Sequence, residues 1–194
     1  MPRTHRARVF AALAIASIAA GALSACAPAA EETASVYPDL TLAQTKAPTQ
    51  LLRNEAANRI PAKLIDGILA SKDVSSACKT EETDPEGLIR SWRSSVRIGL
   101  KSSDKIKVES VVAALNATFI KQGWEQGSYG AATIVELTSP QSAVVIHIST
   151  KAANEETGAG AEVQIQTGGP CVPTAGTESD EVKKLEVEAA AESE

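Results

Sequence analysis

The chain has 194 residues, of which 43% are hydrophobic, 22% charged and 3% aromatic; 19 Lys and Arg stand against 24 Asp and Glu, with three Cys and two His. That length suits one domain of ordinary size. The acidic balance excludes a basic footprint spread over the whole molecule, so no nucleic acid is expected as a partner.

Arg3, Arg6 and Arg8 form a positive start, and Val9 to Leu23 is an apolar run without a charge. The run is shorter than the ~20 residues that a membrane-spanning helix needs, so residues 1–25 read as an export signal rather than a mature span. It ends in Leu23, Ser24, Ala25 and Cys26. An aliphatic residue and two small residues before a cysteine resemble the bacterial lipobox. The resemblance implies a diacylglyceryl thioether on Cys26, cleavage before it, and tethering by acyl chains of the palmitate kind to the outer face of the cell membrane. A single acyl chain holds weakly and two or three hold firmly, at ~0.8 kcal/mol per buried methylene. With its leader, small size and two further cysteines, the chain is similar to small surface lipoproteins of high-GC Gram-positive bacteria, a comparison that brings no activity with it.

Residues 26–48 read as the lipidated cysteine and a solvated spacer. Residues 49–173 read as one α+β domain and 174–194 as an acidic disordered tail, since Glu178, Asp180, Glu181, Glu186, Glu188, Glu192 and Glu194 outweigh Lys183 and Lys184. Within the domain, Thr49 after Pro48 predicts the cap of a helix running to residue 60, and Pro61 a break. Ile60, Leu64, Ile65, Ile68 and Leu69 recur at helical spacing, which predicts a second helix over 61–70, although Asp66-Gly67 is also a turn signal. Residues 71–87 read as a loop.

From residue 90 to 101 the pattern alternates: Trp92, Val96, Ile98 and Leu100 on one face, Arg93, Ser95, Arg97 and Lys101 on the other. That is a half-buried strand. Ser103 is placed to cap a helix over 104–122 with a stripe of Val108, Val111, Val112, Leu115, Phe119 and Ile120; Gly123 is a stop, and Trp124 can fold back over the last turn. Strands are predicted at about 131–138, 142–150 and 160–167, the first two joined by Ser139-Pro140-Gln141. Thr133, Val135, Leu137, Val144, Ile146, Ile148, Ala161, Val163 and Ile165 then look inward. Glu136, His147, Ser149, Glu162, Gln164 and Gln166 look outward. The expectation is an antiparallel sheet of about four strands with helices covering one face, in the order α-α-β-α-β-β-β.

Once residues 1–25 are removed, His147 is the one histidine left. Cys78 and Cys171 are the remaining thiols, and in an exported chain they are expected to form a disulfide; free thiols or a redox pair are the alternatives, without the CxxC spacing. No Walker loop, GxGxxG, HExxH or GxSxG is present. The SxxK strings at Ser76 to Lys79 and Ser102 to Lys105 lack the companion strings of serine acyl-enzymes. Glu81-Glu82, Asp84-Glu86 and Glu155-Glu156 lack the spacing and glycine of a calcium loop. No cofactor and no metal site are implied.

Arg93, Arg97 and Lys101 beside Glu136, His147 and Glu162 are the candidate partner-binding residues, if the strands pair as expected; the bland alternative is a set of solubilising cross-strand charges. The expectation for function is a membrane-anchored, non-enzymatic envelope lipoprotein that binds or supports another envelope component. A carrier holding a lipid or small molecule between helices and sheet is the alternative, and a hydrolase with an unrecognised site the third.

Overall fold

The structure, a computed structural model, describes residues 35–101, 108–127, 134–154 and 156–191. The expected export leader with Leu23 to Cys26, the expected cap and SxxK string at 102–105, Tyr129, Thr133 and Glu155 lie outside them. The elements are α1 (Leu42–Asn58), a short 3-10 turn (Ala62–Leu64), β1 (Ile65–Ala77), β2 (Ile89–Leu100), α2 (Val108–Lys121), β3 (Glu125–Gln126), β4 (Ile134–Thr138), β5 (Val145–Lys151), β6 (Glu162–Gly168), β7 (Val172–Pro173) and α3 (Asp180–Ala191). The class is α+β. The sheet is antiparallel, in the order β1-β2-β6-β5-β4-β3 with β7 beside β2, and so has seven strands where about four were expected.

Helix α1 starts earlier than Pro48 suggested. Thr41 and Gln44 form a capping box, each side chain accepting from the other's backbone N–H. Pro48 therefore lies inside the helix and supplies no N–H to the turn before it. The helix runs through it with the Thr45 hydroxyl donating to the Leu42 carbonyl and the Thr49 hydroxyl to that of Thr45. Leu42, Thr45, Thr49 and Ala56 are buried, and that packing offsets the missing bond.

The expected second helix over 61–70 is a correction. Only Ala62–Leu64 turns helically; the chain from Ile65 then pairs with β2 at eleven positions, as far as Ala77. Register shifts at Ile65/Gly67 and Ile68/Ala70 break the two-residue alternation and leave apolar residues at a helix-like spacing. Residues 71–77 were expected in a loop because they are polar on both faces. They are a strand at the sheet edge, whose helix-side positions Ser71, Asp73 and Ser75 meet polar partners instead of a core.

The remaining sheet follows its alternation. Ile98, Leu137, Ile146, Ile148, Val163 and Ile165 are fully buried against Ala56 and Ile60 at the end of α1 and Val111, Val112, Leu115 and Phe119 of α2. Burying such side chains stabilises by roughly 1.5–3 kcal/mol each. Ile120, expected in the same stripe, is 42% exposed. Gly123, at φ +86°, ends α2, and Trp124 folds back edge-on to Phe119 with ring centroids 5.2 Å apart.

A second core joins Leu42, Trp92, Val172, Val182 and Ala189. It corrects the expectation of a disordered tail: Asp180–Ala191 is helical, and Val182, Leu185 and Ala189 form a narrow stripe that seats on Trp92 and Val172. Glu186 adds a polar tie by accepting from both the backbone N–H and the hydroxyl of Ser75. None of the described helices is long and apolar enough to cross a membrane.

Candidate functional site

The described helices pack on one face of the sheet, and among the described residues the other face is open. Register sets its rows: Ser95, Gln166, His147 and Glu136 lie side by side across β2, β6, β5 and β4. The next row is Arg93, Gly168 and Val145. Arg97 sits opposite Gln164, which neighbours Ser149.

Of the six candidate residues, five lie on this face, in two groups: Arg93, His147 and Glu136, and Arg97 with Glu162. His147 Nδ1 is 3.5 Å from Glu136, and Arg97 is 2.6 Å from Glu162, which also faces Lys151 at 3.9 Å. Arg93 lies close enough to His147 to act on its charge. Lys101 does not join them: it follows the last residue of β2, is exposed, and makes no ion pair among the described residues. Pairs on an exposed face such as Arg97–Glu162 contribute at most about 1 kcal/mol.

Partial burial holds the His147 imidazole below its ordinary pKa; Glu136 opposes that shift and Arg93 reinforces it. The ring is therefore largely neutral at pH 7. Hydroxyls of Ser91 and Ser149 border the same hollow. Acyl transfer would also need backbone N–H donors aimed at an oxyanion. In the middle of an antiparallel sheet those groups are engaged in the ladders on both sides, so binding is the chemistry this surface supports better.

Three shallow hollows adjoin on this face. One of about 510 Å³ is bordered by Ser91, Arg93, His147, Ser149, Gln166 and the cystine. A second of about 620 Å³, toward Tyr37 and the β4–β5 turn, shares Val145, Gly169 and Cys171 with it. A third of about 350 Å³ lies by Arg97, Lys151 and Glu162 and shares Ser149. Cys78 and Cys171 are disulfide-bonded, as expected, and the bond fixes the rim between the first two.

Two polar features escaped the sequence. Arg90 is buried beside Trp92, its guanidinium donating to Ser75 Oγ at 2.8 and 3.0 Å and to Thr177 Oγ1 at 2.6 Å. Ser75 in turn donates to Glu186 at 2.7 Å. Nothing in a strand alternation announces a buried arginine, because its partners come from β1 and the segment before α3. Asp84 is the other. Its carboxylate accepts the N–H groups of Ile89 and Leu88, each at 2.8 Å, which holds its pKa below the usual carboxylate range. Asp84 thus organises the turn into β2, and the described residues contain no cluster of His, Cys, Asp and Glu able to hold a metal. Ser76, of the SxxK string, lies in strand β1, away from the helix geometry that string requires.

Comparison with family models, with curated proteins and with solved structures yields no match, and the reading of this face rests on its own geometry.

Proposed function

We propose that the protein is a lipid-anchored, extracytoplasmic binding module. In this reading Cys26 carries the acyl anchor, the α+β domain stands at the outer face of the cell membrane, and the open face of the sheet receives an envelope partner. The disulfide between Cys78 and Cys171 is the observation that carries it. Such bonds persist in oxidising, exported compartments, and this one occurs in a chain whose leader ends in Leu23-Ser24-Ala25-Cys26.

What favours binding at the open face over carriage of an apolar ligand is where the space lies. Between helices and sheet, Phe119, Ile98, Ile146, Ile148 and Ile165 are fully buried against their neighbours, whereas the adjoining hollows are on the polar face.

Acyl labelling in cells tests the anchor. The wild-type chain is expected to take up labelled palmitate and sediment with membranes, while Cys26→Ala does neither; a Cys26→Ala protein still labelled and retained would sink the reading. A photo-crosslinking residue at exposed Gln164 of the open face is expected to capture a partner in intact envelopes, and one at Leu51, exposed on α1, is not. Equal capture at both sites would overturn the assignment of the face.

A further inference from the structure

Five arginines are described, and four have evident partners. Arg53 pairs with Asp73, Arg59 with Glu55, Arg97 with Glu162, and Arg90 is held by Ser75 and Thr177. Among the described residues no carboxylate or hydroxyl meets the guanidinium of Arg93. It projects from β2 on the open face, exposed, at the border of the hollow of about 510 Å³.

The hollow exists because of a glycine. Arg93, Gly168 and Val145 share one cross-strand row, and Gly168 contributes no side chain between the other two. A Cβ built at Gly168 meets nothing within 4 Å, so the gap is open above the sheet. Around it stand donors: the Arg93 guanidinium, the hydroxyls of Ser91 and Ser149 and the amide of Gln166, with the imidazole of His147 beside them. Among the described residues no carboxylate borders it, although the chain as a whole is acidic. Glu136, the acidic group nearest in the register, lies on the far side of His147.

We propose that this hollow is an oxyanion subsite, in which Arg93 takes a carboxylate or phosphate group of the partner over Gly168, with the neighbouring hydroxyls as further donors. The guanidinium fork matches both groups in geometry, and charge-assisted hydrogen bonds are about twice as strong as neutral ones. The proposal rests on the reading of the open face as the recognition surface. Among the described residues, Glu136 from β4 and Arg93 from β2 act on the charge of His147; the β6 neighbour, Gln166, is uncharged. An anion seated beside Arg93 offsets its repulsion of the imidazolium, so occupancy raises the titration midpoint of His147.

The test is NMR of histidine-labelled, full-length protein in detergent, titrated with inorganic phosphate and, separately, acetate, with chloride holding ionic strength constant. The His147 ring signals, assigned by their loss in His147→Gln, are expected to shift saturably and to titrate at higher pH with at least one probe. Arg93→Gln is expected to weaken that response at least about tenfold, the loss of one charge-assisted contact. Gly168→Leu, which fills the gap without meeting another atom at Cβ, is expected to do the same, and Lys121→Gln, exposed on α2 across the sheet, to leave it unchanged. A response to phosphate alone assigns the subsite to phosphorylated ligands, and one to acetate alone to carboxylates. No saturable shift with either, or equal shifts in Arg93→Gln and Gly168→Leu, would overturn the subsite. A normal anion response with no cross-link from Gln164 would support the subsite and strike the recognition-face reading instead.

Discussion

Asp84 and His147 each make stability fall on acidification, in different windows. Asp84 has its pKa lowered in the folded state by the Ile89 and Leu88 N–H groups, so its contribution is present above the unfolded carboxylate range and is lost as pH falls through the lowered folded value. His147 is lowered by burial, so the fold favours neutral imidazole; its contribution is present above about pH 6.5 and is lost as pH falls through the folded value. Urea midpoints measured from pH 7.5 to 5 should therefore decline for the wild type and stay flatter for His147→Gln. Parallel curves would mean that the imidazole is as well hydrated in the fold as out of it. Asp84→Asn should lower the midpoint at pH 7, because one carboxylate oxygen becomes an amide that faces an N–H, and should weaken the further loss below about pH 4. Gly169 is sensitive for a steric reason: a Cβ there would sit 2.9 Å from Thr49 Oγ1 and 3.2 Å from Thr45 Cβ, where α1 comes closest to the sheet. Gly169→Ala should cost about 1–3 kcal/mol by chemical denaturation, while Gly158→Asn, in open space at φ +69°, should cost less.

Elements whose pattern comes from one repeating environment were legible in the sequence. Val96, Ile98 and Leu100 of β2, the stripe of α2 with its Gly123 stop, and the inward rows of β4, β5 and β6 all lie over one continuous core, so alternation or helical spacing reports them directly. The elements that sequence reading missed depend on partners far along the chain. β1 is a bulged edge strand whose helix-side positions are polar because Arg53, Arg90 and Glu186 come to meet them. α3 has too few apolar residues to suggest burial until Trp92 and Val172 supply its seat. The outward face was legible in the same measure: its residues on β2, β4, β5 and β6 follow the alternation, Lys101 excepted, but the gap at Gly168 depends on which residue of β2 stands opposite it. For α3, one comparison separates a docked helix from a solvated tail. Val182→Ala should lower stability by about 1–3 kcal/mol, since Val182 is 1% exposed in the second core. Val187→Ala, 70% exposed on the same helix, should change it by less than about 0.5 kcal/mol. Two silent substitutions would show that the helix does not dock.

At the scale of the molecule, the Cys78–Cys171 bond closes the chain around β2 through β6 and both of the helix-covered rows, at a separation of 93 residues. In the chain-entropy treatment a loop of that size stabilises by about 4–5 kcal/mol, by restricting the unfolded ensemble. The folded ends it joins are also held without it: Cys171 accepts from the Tyr37 N–H, β7 pairs with β2, Cys78 N–H donates to Ile89, and α3 closes over Trp92. Loss of the bond therefore should not unfold the domain, and its effect should fall mainly on the unfolded state. The Cys78→Ser, Cys171→Ser double variant is expected to fold, to lose about 2–4 kcal/mol of stability, and to show a steeper denaturant dependence, because its unfolded chain exposes more surface. Wild type treated with reductant should follow the variant in urea, while reductant should leave the variant unchanged. An unchanged midpoint and slope in both would mean that the bond constrains neither state.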